Sequence, residues 1–65
     1  MTKPIKEVKL SDGKGTVIVL SQYETCTTEE VYIYGVCENA GSMEKDDFNT
    51  RLIVLTKNLG MHVVL

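Results

Sequence analysis

Apolar and polar positions along this chain fall into two regimes. From Ile5 to Glu38 they form short runs rich in β-branched and aromatic residues, and from Asp46 to Gly60 they recur at helical spacing. With Phe48 at zero on a helical wheel, Leu52, Leu55 and Leu59 fall within roughly 40° of it. The ends agree with that stripe. Asp46 or Asp47 can accept from the first free amides, Lys57 lies in the last turn, and Gly60 supplies a left-handed stop. Met61 to Leu65 follow as a short β-type run, so the chain is expected to end inside its fold. A competing reading takes Arg51 to Thr56 as a strand, because Ile53 and Val54 are β-branched, and gives a small five-stranded β-barrel. Stripe, acidic start and glycine stop agree independently, which favours the helix.

Upstream, Ile5 to Leu10 mixes apolar and charged residues like an edge strand, with Pro4 just before it. Ser11 to Gly15 is a turn, since Asp12-Gly13 supplies the positive φ angles of a tight hairpin loop. Thr16 to Tyr23 is a second strand, Glu24 to Glu30 a polar connection, and Val31 to Glu38 a third strand that Asn39 to Ser42 break. The pattern predicts a single α+β domain over residues 1–65. It comprises a three-stranded antiparallel meander, one amphipathic helix on a face of the sheet, and a C-terminal strand beside the third strand or the first.

A connection through residues 24–30 would set Tyr23 opposite Val31, Val19 opposite Gly35 and Val17 opposite Cys37. One face then collects Val8, Leu10, Val17, Val19, Val31, Ile33 and Cys37, and the helix is expected to cover it. Ile18, Leu20, Tyr32, Tyr34 and Val36 are left on the other face with no second helix to lie over them. Those five are therefore the candidate partner or subunit interface.

Composition adds limits. Sixty-five residues that are 43% hydrophobic and 25% charged are ordinary for a globular domain near the lower size limit for folding alone. The net charge of −2 is unevenly placed: residues 24–47 hold seven of the nine acids against one base, and the remainder holds six bases against two acids. Such a split can orient a charged partner. No apolar run is long enough for a membrane span, and no apolar block follows Lys3, Lys6 and Lys9, so the expectation is a cytoplasmic protein without a membrane partner.

Candidate chemistry is sparse. The expected register separates Cys26 from Cys37 by about 20 Å, too far for a disulfide, with Cys37 buried and Cys26 exposed. Cys26, Cys37 and His62 show no metal-ligand spacing, and Gly13-x-Gly15 lies between strands rather than before a helix, so no metal and no cofactor are expected. The tyrosines have no basic groove beside them, which argues against nucleic acid. The sequence points to a small, non-catalytic, homo-oligomeric protein–protein interaction module of the regulator or inhibitor type. The alternative is a small-ligand binding protein whose pocket forms between subunits.

Overall fold

The computed structural model describes residues 3–64. Four consecutive strands form antiparallel hairpins: β1 (Lys6–Ser11), β2 (Thr16–Gln22), β3 (Cys26–Ile33) and β4 (Val36–Glu44). Helix α1 (Asp47–Ile53) runs on into a π-helical turn over Val54–Asn58, and β5 (His62–Val63) closes the order. The sheet is open, in the order β4-β3-β2-β1-β5, with β2 at its centre. The α+β class agrees with the sequence, but there is one more strand than expected. Residues 51–56 are helical and the sheet does not close, so the barrel alternative is corrected. Among the described residues no helix is long and apolar enough to cross a membrane.

The extra strand comes from two misread segments. Thr27, Thr28 and their neighbours, read as a connection, form the first half of β3, where β-branched threonines suit a pleated surface. Asn39 to Ser42, read as a break, lie within β4. That strand survives a poor β composition because it is an exposed edge whose order comes from pairing with β3. The hairpin between them turns at Tyr34 and Gly35.

These boundaries move the register. Val17 pairs with Tyr32, Ile18 with Val31 and Val19 with Glu30, in place of the expected Val17–Cys37 and Val19–Gly35 pairs. The first hairpin loop spans Asp12 to Gly15, so Leu10 pairs with Ile18 and Val8 with Leu20. One step of parity exchanges the faces. The helix therefore covers the side carrying Leu10, Ile18 and Leu20, which form the core with Phe48, Leu55 and Met61, while Val8, Val31 and Leu52 pack against it. Burying each such large side chain contributes about 1.5–3 kcal/mol.

The helix is anchored at its start. Gln22 Nε2 and Thr27 Oγ1 both donate to the Lys45 carbonyl, at 3.0 and 2.9 Å, tying the strand-to-helix junction to β2 and β3. Lys6 Nζ lies 4.8 Å from the centroid of the Phe48 ring. The expected carboxylate cap is corrected: the Asp46 side chain makes no capping bond. Arg51 instead ties the helix to β3, donating from Nε to Glu29 Oε1 at 2.6 Å and from Nη2 to Oε2 at 3.0 Å.

The π turn ends the leucine stripe early. Thr56 Oγ1 donates to the Leu52 and Ile53 carbonyls at 2.9 and 3.3 Å, loosening the regular ladder there. Leu59 N then bonds Val54 O, five residues back, and Met61 N bonds Leu55 O. Widening the turn leaves Leu59 60% exposed, against expectation, while Gly60, at φ 68°, swings Met61 into the core at 5% exposure. Beyond it β5 lies antiparallel beside β1, pairing Val63 with Leu10 and His62 with Ser11. Leu65, expected in this strand, lies outside the described residues.

Candidate functional site

Hairpin β3–β4 turns through two residues. Tyr34 has φ 49° and Gly35 φ 84°, positive at both central positions as a type I′ loop requires. Such loops favour Asn, Asp or Gly, and a side chain with a Cβ costs roughly 1–2 kcal/mol in the left-handed region. Tyr34 is the one non-glycine residue with positive φ among the described residues. Its amide donates to the Gly15 carbonyl at 2.8 Å, and its ring lies against Gly15, so the loops of the first and third hairpins support one another.

The tip formed this way is apolar and open. Ile33 is 40%, Tyr34 81% and Val36 58% exposed, with Ile33 and Val36 paired across the turn. A register shift follows between Val31 and Tyr32: Val31 pairs with Asn39 and Tyr32 with Cys37, leaving Glu38 as the extra residue of a bulge. Tyr32 and Cys37 point to the face away from the helix. The charge of Glu30 beside the Tyr32 hydroxyl raises its pKa above the usual phenol value, and desolvation and the neighbouring Cys37 act in the same direction.

That second face carries an open depression of about 420 Å³ lined by Glu7, Lys9, Val17, Val19, Glu30 and Tyr32 among others. Its floor is shielded: Val19 is 9% exposed, with Lys9 and Glu30 as its neighbours on β1 and β3.

The structure does not bring the five interface residues read from the sequence onto one face. Ile18 and Leu20 are buried under the helix. Tyr32 lies on the uncovered face, Tyr34 forms the turn, and Val36 lies exposed on the helix side of β4, opposite Ile33. Tyr34 and Val36 do come together at the tip. Ile33 was missed there, and Val17 and Val19 were missed on the uncovered face. The signal was present: a lone glycine inside a β-rich run, Tyr32 to Cys37, marks a turn or bulge as readily as a strand.

The cysteines exchange their expected environments. Cys37 is exposed, with its thiol 3.6 Å from the Asn39 carbonyl, and Cys26 is half-buried; neither is in a disulfide. His62 is exposed on β5. Among the described residues no three His, Cys, Asp or Glu side chains gather as a metal site would require. The arrangement can offer contact surface: an apolar tip on a hairpin braced against Gly15 and a charged, shallow sheet face. Compared with known protein families, curated proteins and solved structures, the chain matches none.

Proposed function

We propose that this chain is a small, non-catalytic protein–protein interaction module that docks the β3–β4 hairpin tip into an apolar recess of another protein. The observation that carries this reading is Tyr34: a large aromatic side chain, 81% exposed, in a left-handed turn position where Asn or Gly would be easier to hold. Strained exposed residues concentrate where contact is made, and tyrosine is favoured at the centres of interfaces. Ile33 and Val36 flank it with further apolar surface, and the Gly15 contact presets the tip, reducing the entropy lost on binding.

A second reading, a small-ligand protein, is favoured by the depression on the uncovered face, whose volume is in the range of ligand pockets. Against it, the depression is open to solvent and polar on both flanks.

The test places a photoreactive residue at Val36 or, as control, at Asn49 on the exposed side of the helix, and irradiates native lysate. The docking reading expects one protein to be crosslinked from position 36 and not from 49, with excess parent competing and Tyr34→Asn competing poorly. Equal labelling from both positions, or none from 36, overturns it.

A further inference from the structure

The uncovered sheet face has a charge layout that complements itself. Lys9, Val19 and Glu30 are cross-strand partners in one row over β1, β2 and β3, so a cation and an anion flank the central valine at about one strand spacing, roughly 4.8 Å. The row on one side reads Ser11, Val17, Tyr32, and on the other Glu7, Ser21, Thr28. Glu7 is engaged within the chain, accepting from Ser21 Oγ at 3.0 Å.

Strand β2 is the middle of the five. Two sheets stacked about 10 Å apart and related by a two-fold axis parallel to β2 overlap as fully as they can, with β1 over the partner's β3. Lys9 then faces Glu30 of the partner subunit, and the contact occurs twice. Val17 and the already shielded Val19 lie opposite their own counterparts, as an isologous interface requires. The other axis lying in the contact plane, across the strands through Val19, would set Lys9 on Lys9 and Glu30 on Glu30. The charges therefore select one orientation.

From this the geometry points to a second copy of this chain as the occupant of the uncovered face, in a two-fold dimer joined by reciprocal Lys9–Glu30 contacts over a valine centre. It goes beyond the docking reading, uses a different surface, and leaves Tyr34 free to act. With molecular extents of 32 × 25 × 18 Å, the covered area falls below the ~800 Å² per partner of standard interfaces, at the small end where association is weak.

Sedimentation equilibrium of charge-swapped variants tests the axis itself. Lys9→Glu alone and Glu30→Lys alone each set like charges together twice, and each is expected to weaken self-association about tenfold or more. Mixed in equal amounts they restore both contacts, so the mixture dimerises like the parent although neither component does; the double swap in one chain also dimerises. Circular dichroism verifies that each variant is folded, and should one single swap unfold, the other is compared with the double swap, which must restore the self-association that the single swap loses. A parent that stays monomeric at high micromolar concentration, or swaps that fail to rescue one another, overturns the dimer. Tyr34→Asn should dimerise like the parent, so loss of tip docking and loss of the dimer are read separately.

Discussion

The Tyr34 ring occupies the space into which any side chain on Gly15 would grow: a β-carbon built there stands 2.5 Å from Cε1 and 2.8 Å from Cδ1. Gly15 also has φ 105°, in the region open to glycine. Gly15→Ala is therefore expected to destabilise by about 1–3 kcal/mol, most of it from the backbone, because the ring is exposed and can swing aside. Urea unfolding measures it. In a Tyr34→Ala background the cost should fall only slightly, whereas near-complete rescue would assign it to the ring.

Leu55 and Leu59 share one stripe in the sequence and separate in the structure, at 0% and 60% exposure. Leu55→Ala should cost about 2–5 kcal/mol and Leu59→Ala within about 0.5 kcal/mol. Thermal melts distinguish them. Equal losses would restore an uninterrupted α-helix to the end of the stripe.

The helix and the first hairpin turn were legible because their signals are local: an apolar period and a glycine stop for the one and Asp12-Gly13 for the other, each acting within a few residues. The π turn was not: its one local companion is the Thr56 hydroxyl donating to the Leu52 carbonyl, a bond that regular α-helices also carry. Faces were lost for a different reason. Val17 to Leu20 are apolar on both sides of β2, so nothing in β2 itself says which side the helix takes. The choice rests on loop parity at Asp12 to Gly15, and one residue decides it. Tyr34 and Val36 were found as exposed apolar positions, but their meeting with Ile33 at a tip depends on a turn that a tyrosine disguises.

Arg51 and Glu29 form a two-pronged pair with side-chain exposures of 37% and 13%. A double-mutant cycle with Arg51→Met and Glu29→Gln should give a coupling of about 1–2 kcal/mol, below that of fully buried pairs because solvent reaches the guanidinium. Arg51→Met alone should be worse than the double variant, since it leaves the more buried carboxylate without its partner. Chemical denaturation at low and moderate salt reports both.

Asp12 accepts from the amides of Lys14 and Thr16 at 2.7 and 3.1 Å, and these bonds hold its carboxyl below the ordinary value of 3.8. A depressed folded pKa stabilises the fold above the unfolded value, and that contribution is lost as pH falls through the folded one. Stability should decline below about pH 4, and Asp12→Asn should flatten that acid limb by lowering stability above it, where the ionised carboxylate contributes. An unaltered acid limb in the variant would contradict this role.

That Tyr34 is held at the hairpin tip for contact rather than for folding is tested most directly by urea unfolding of Tyr34→Asn beside the parent. Asparagine tolerates the left-handed turn, so the variant should be as stable as the parent or more stable by up to about 1 kcal/mol. A loss of more than about 1 kcal/mol would show that the ring on Gly15 is needed by the fold, and would contradict the reading of the tip as a docking element.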